Sequence, residues 1–183
     1  MTAHSAHLMQ EFCKLCDWSY QVWLNHREFF DDNPRAAELQ KSMGAEALAR
    51  LRTISHEYML LQIAKLHDRA IVAGEITLGI EYIVKYGAWN QSTAAKLADL
   101  AEQLNEFAKG LRAVRNKVLS HNDLAALLGS AALGEFVKDE YIQYFAVLQE
   151  FVNLAHAEVV GGPWPLDDLV KNDVAALMAI IMP

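Results

Sequence analysis

The distribution of apolar and polar positions along the chain reads as a succession of helical stripes. Over about residues 7–30, Leu8, Phe12, Leu15, Ser19, Val22, His26 and Phe29 recur at steps of four and three. That spacing keeps side chains on one face of a 3.6-residue helix. Met9, Cys16, Trp23 and Phe30 widen the stripe, which predicts a packed helix. Asp31-Asp32-Asn33-Pro34 ends it, because Pro34 disfavours helical dihedrals at Asn33 and brings no amide donor. A second stretch, about 35–73, has Leu39, Met43, Leu48, Leu51, Ile54, Tyr58, Leu61 and Leu66 on its expected inner face. Gly44 is placed to kink or divide it, and the pattern is strongest over 45–68. Gly74 marks a turn, and 76–86 reads as a short third helix closed by Gly87.

The fourth helix has the most regular seam: Leu97, Leu100, Leu104, Phe107, Leu111, Val114 and Val118. Ser92 or Thr93 is the expected N-cap, since a hydroxyl there accepts an orphan backbone amide. Gly110 interrupts the seam at a cost of about 1 kcal/mol relative to Ala. Residues 124–134 read as a loop with a helical turn. A fifth helix follows over about 135–160, with Val137, Tyr141, Phe145, Leu148, Val152, Ala155 and Val159 inward. Gly161-Gly162-Pro163-Trp164-Pro165 breaks the chain before a last helix over 166–181. No alternating strand pattern of useful length and no internal repeat is present. The expectation is an all-α bundle of about five to six helices, one domain over 1–183, with 163–183 as an appended C-terminal helix.

Composition changes this picture little and function more. At 183 residues the chain can bury about 70% of its unfolded surface without staples. Its 53% hydrophobic content is enough for some surface to be expected between subunits. The net charge of −7 and a pI near 5.4 argue against a broad basic face for nucleic acid or anionic lipid, and leave room for a small basic site. Two cysteines make no disulfide framework, and no secretory leader or run of 18 apolar residues occurs. A soluble, cytoplasmic protein with no membrane association is expected.

Candidate chemistry gathers at the end of the fourth helix, in Arg115-Asn116-Lys117-Val118-Leu119-Ser120-His121-Asn122-Asp123. The seam asks for an apolar residue at 121 and finds His121. An imidazole there can give a proton to a leaving oxygen or take one from an attacking hydroxyl. A guanidinium nearby can hold a phosphate and stabilise transition-state charge. Six residues at about 100° each set Arg115 and His121 some 120° apart on a straight helix. A fraying last turn, or a two-fold dimer that brings two such segments together, would let both reach one point. The competing interpretation is a core histidine satisfied by a carbonyl, with Arg115 in a salt bridge. Spacing alone favours this second interpretation.

Other chemistry-bearing residues point to packing. His4, His7, Cys13 and Cys16 have the types of a zinc set, but both cysteines lie in a continuous helical pattern and no second Cys pair closes a tetrahedron. They read as small buried hydrophobes, and no metal or other cofactor is expected. His56-Glu57 and His67-Asp68 share a helix side but sit about 16 Å apart, too far for joint ligation. Asp68 reads as a cap or salt-bridge partner. Trp18, Tyr20, Trp23, Phe29 and Phe30 lack interleaved Lys and Arg, so core and interface is favoured over a base-stacking platform.

Arg115-Asn116 followed by His121 resembles the R-N-x4-H motif of the HEPN superfamily, and the string from Leu111 to Asp123 looks like its abortive-infection, AbiU-like branch. Ile63-Ala64-Lys65-Leu66-His67-Asp68 and Gly134-Glu135-Phe136 are similar to that branch as well, so the resemblance spans roughly 45–158. It implies an up-and-down bundle that dimerises through the motif-bearing face to form a composite site. It also implies metal-independent RNA cleavage in active members, by attack of a 2′-hydroxyl on the adjacent phosphate. Carried over, His121 is the acid or base, Arg115 binds the phosphate and Asn116 orients one of them. Arg112, Lys117, Ser120 and Asp123 would contact the substrate or support those three. The implied biology is a toxin or phage-defence effector, with an antitoxin or nucleotidyltransferase as partner. The rival from another class is a catalytically inactive HEPN-like module that binds a protein or nucleotide, which the acidic charge favours somewhat. A plain helical protein with a core histidine is the third reading.

Overall fold

Phe12, Cys13, Cys16 and Leu24 have no exposed surface, and all four lie on α1, Ala3–His26, the first element of the computed structural model. The structure describes residues 3–42, 44–114 and 138–181. The buried face of α1 is rotated slightly from the one expected. Leu15 is on the rim and Trp18 is half-exposed, while Cys13 and Leu24 turn inward. Trp23 is buried in a stack on Phe145, with ring centroids 4.7 Å apart. Beyond His26 the chain widens into one π-helical turn, Arg27–Asp31, closed by the Asp32 amide on the Arg27 carbonyl at 2.7 Å. The extra residue keeps Phe29 directed inward. Asn33 then stops the helix: its amide donates to Phe29 O and its Oδ1 accepts the Arg35 amide, both at 2.9 Å.

Gly44 does divide the second stretch, into α2, Ala36–Leu39, and α3, Ala45–Leu66. Two expectations for α3 are corrected. Leu51, Ile54 and Tyr58 are exposed, and the buried face belongs to Met59, Leu60, Ile63 and Leu66 in its second half. The helix also stops at Leu66 instead of running on to 73. The His67 and Asp68 amides tighten onto the Ala64 and Lys65 carbonyls, and a small hairpin follows. Its strands, β1 (Ile71–Val72) and β2 (Glu75–Ile76), pair antiparallel with Ile71 opposite Ile76. Ala73 and Gly74 take φ of 52° and 88° at the tip, the positive values that a two-residue hairpin turn requires. The hairpin uses residues 71–76, so α4 begins later than expected, at Ile80–Tyr86.

α5 spans Gln91–Val114, α6 Lys138–Val159 and α7 Val170–Ile181. The N-cap of α5 is Asn90, not Ser92 or Thr93: Asn90 Oδ1 accepts the Thr93 amide at 3.0 Å. The main core joins α1, α3, α5 and α6 through Phe12, Leu60, Ile63, Leu104, Leu148 and Phe151. Each fully buried aliphatic or aromatic side chain contributes about 1.5–3 kcal/mol relative to exposure. A second, smaller cluster seats Val174 and Met178 of α7 on Phe29 and Leu39. Among the described residues the protein is thus an all-α bundle with one minimal hairpin.

Candidate functional site

The helix that leads into the motif is built as its seam predicts from Leu97 to Phe107; the side chains of Leu111, Val114 and Val118 lie outside the described residues. Leu97 and Leu104 are fully buried, Leu100 and Phe107 pack against the core, and Ala101 and Ala108 fill the space between them. Gly110 does not interrupt α5, whose backbone stays helical to Val114. α5 and α6 are antiparallel neighbours. Asn90, just before α5, donates to Glu158 near the end of α6 at 2.8 Å, while Phe107 meets Tyr144 near its start, at 6.0 Å between centroids. Val114 and Lys138, the described residues that flank the motif segment, are therefore at the same end of the pair. Arg115, Asn116, Lys117, Ser120, His121 and Asp123 lie outside the described residues, as do the expected loop at 124–134 and the start of the fifth helix. The backbone of Arg112 is in the last turn of α5.

Below that end, three helices are tied by a polar network in the core. His67, just past α3, is 4% exposed, and Tyr144 of α6 is 2% exposed. The Tyr144 hydroxyl is 2.9 Å from His67 Nε2, and His67 Nδ1 is 3.1 Å from Asn105 Oδ1 on α5. An amide oxygen only accepts, so Nδ1 carries the hydrogen, Nε2 is the acceptor and Tyr144 donates. Burial pushes the Tyr144 phenol well above its ordinary value, and the nearby Cys16 adds to this, so the hydroxyl keeps its proton. Asn105 precedes Val114 by nine residues, about 14 Å along the helix. The network ties the axial position of α5 to the end of α3 and to α6.

A second polar group sits where the π-turn, the middle of α3 and the first turn of α6 converge. His26, 3% exposed, has Nδ1 at 3.1 Å from Ser55 Oγ and Nε2 at 3.6 Å from Asp31 Oδ2. Arg52 donates to the other Asp31 oxygen at 2.9 Å, and the His56 ring lies 5.4 Å from that of His26. Burial lowers His26 to about 4, only partly opposed by Asp31, with His56 and Arg52 adding to the depression. The imidazole is neutral at neutral pH. Tyr141 of α6 is also held above its ordinary range, by burial first and then by the Asp31 and Glu140 carboxylates. His26 is shielded from solvent and has both ring nitrogens engaged, by Ser55 and Asp31.

The sequence marks His67 only beside Asp68, not as a partner of Tyr144 and Asn105, and it does not point to His26, Asn105 or Tyr144 as site residues. His26 does carry a signal, since it occupies an apolar position of the α1 stripe, just as His121 falls on an apolar position of the spacing from Leu97 to Val118 in the sequence. His56 and His67 do not act together: one faces His26 and the other Tyr144. Cys13 and Cys16 are fully buried free thiols, consistent with packing groups. Burial raises the Cys13 thiol to about 12 and pushes the Cys16 thiol well above its ordinary value. Among the described residues, no group of three or more His, Cys, Asp and Glu is placed to hold a metal ion. No described helix is long and apolar enough to cross a membrane.

A family model, HEPN_AbiU2, described as AbiU2, matches residues 2–179. No curated protein and no solved structure matches the chain.

Proposed function

The chain belongs to the AbiU2 family, in the abortive-infection branch of the HEPN superfamily, and from that premise we propose that it is a metal-independent endoribonuclease acting as a toxin or phage-defence effector. The observation that carries this reading is the intact Arg115-Asn116-x4-His121 string, which begins one residue past the end of α5. In the proposed reaction the 2′-hydroxyl of RNA attacks the adjacent phosphorus. The P–O5′ bond breaks, leaving a 2′,3′-cyclic phosphate and a 5′-hydroxyl. His121 moves the proton, Arg115 neutralises charge on the phosphate, and Asn116 orients one of the two. Arg112, Lys117, Ser120 and Asp123 support or extend these contacts. A homodimer completes the site by bringing two motifs together, which resolves the 120° offset between Arg115 and His121.

The test is RNA cleavage in EDTA by the parent, His121→Ala and Arg115→Ala. Cleavage that survives chelation and is lost in both variants, by about 10²-fold or more, is the expected result. The net charge of −7 favours a second reading, an inactive HEPN-like module that binds a partner protein such as an antitoxin, or a nucleotide. Absence of cleavage with every RNA, from a dimer, selects that reading. A monomer at micromolar concentration by light scattering overturns the composite site.

A further inference from the structure

At the end of the α5–α6 pair opposite the motif, a cleft of about 240 Å³ opens between the start of α1, the α4–α5 turn and the end of α6. Its floor is apolar: Met9 and Ile83 line it, each 2% exposed. Its walls are aromatic. Tyr82 and Tyr86, one turn apart on α4, have ring centroids 5.1 Å apart at 34°. Trp89 is fixed in place twice. Its indole N–H donates to the Ile83 carbonyl at 2.8 Å, which uses the ring's one polar atom. The ring also lies against Gly87 so closely that a Cβ there would come within 2.2 Å of Trp89 Cε2. The rim carries the carboxylate of Glu158, held by Asn90 Nδ2 at 2.8 Å and Thr93 Oγ1 at 3.4 Å.

We propose that this cleft binds a small organic cation of the quaternary or methylated ammonium type. The argument is charge and shape. Among the described residues that line the cleft, Glu158 carries the only formal charge, and Lys, Arg and His are not represented. Aromatic faces present the negative side of their quadrupole to a cation. A phosphate or carboxylate ligand would meet Glu158 with no counter-charge. The volume is below the roughly 300–1,000 Å³ of sites for drug-sized ligands, so the ligand is small. Both oxygens of Glu158 are held from the protein side, which leaves the carboxylate oriented before a ligand arrives. The site lies at the start of α5, about 36 Å of helix from Val114, and its occupancy does not depend on RNA cleavage.

The probe is choline, with 3,3-dimethylbutan-1-ol as the neutral isostere, titrated into the full chain and followed by calorimetry and by NMR shifts of the tryptophan indoles. The expected result is saturable choline binding, the isostere weaker by roughly tenfold or more, and a similar loss in Glu158→Gln. Tyr86, 57% exposed, can be replaced without opening the core, so Tyr86→Ala gives a second variant, expected to weaken choline severalfold at unchanged melting temperature. Equal binding of choline and isostere shows an apolar crevice and overturns the proposal. So does no saturable choline binding up to about 50 mM, well beyond a millimolar site. Tighter binding of a free nucleoside than of choline assigns the cleft to planar bases and overturns it as well.

Discussion

The Tyr144 hydroxyl donates to His67 Nε2 across 2.9 Å inside the core, and it does so beside the helix from which the motif departs. Tyr144→Phe keeps the ring contacts with Phe107 and Phe145 and removes only the donor. At a buried imidazole nitrogen that loss costs about 1–3 kcal/mol. Urea unfolding checks this: the midpoint falls with the slope unchanged. A change below a few tenths of a kcal/mol would show that the bond contributes nothing net.

His26 makes stability depend on pH. Its folded value, about 4, lies below the ordinary 6.5, so the unfolded chain binds the proton more readily. The contribution is therefore fully present above about 6.5 and is lost as pH falls towards 4, by up to roughly 3 kcal/mol. Urea unfolding at pH 7 and 4.5 measures it. Carboxylates contribute to acid loss in every form of the protein, so the readout is the difference between the parent and His26→Gln. The variant should lose less stability over that interval, and equal losses would remove His26 from the account.

Asn90 caps α5, so Asn90→Ala should cost about 1 kcal/mol, while Ser92→Ala should be close to neutral. Thermal melts of the two variants side by side decide between them. The reverse order would restore the hydroxyl cap that the sequence suggests.

The two halves of α3 should respond differently. Ile63→Ala, at 1% exposure, should cost about 2–5 kcal/mol, and Ile54→Gln, at 59% exposure, within about 0.5 kcal/mol. A large loss from Ile54→Gln in the isolated protein would mean that this stripe is covered by another copy, with a concentration-dependent midpoint as its signature.

These residues also show what the sequence could and could not convey. The seams of α1, α5 and α6 were legible because each has one broad apolar face and a polar opposite face. The first half of α3 departs from its pattern for a related reason. Leu51, Ile54 and Tyr58 have helical spacing, but periodicity reports that a face exists, not whether anything covers it. The hairpin at Ile71–Ile76 was invisible because two-residue strands are too short to show a period, and Ala73-Gly74 lacks the usual Asn or Asp turn signal. The motif was legible as a string of contiguous residues. Its supports were not: His67, Asn105 and Tyr144 come from three separate segments, and only the folded chain brings them within hydrogen-bond distance.

Cys13 and Cys16 share one face of α1 at zero exposure, with no disulfide between them. Their thiols are shielded both by access and by the scarcity of thiolate. A soluble alkylating reagent will therefore leave the native chain unmodified until the bundle opens. Both sulfurs are part of the same core, so they should react together and in a single phase. The pair is a built-in chemical clock for global opening, readable by mass alone and without a label.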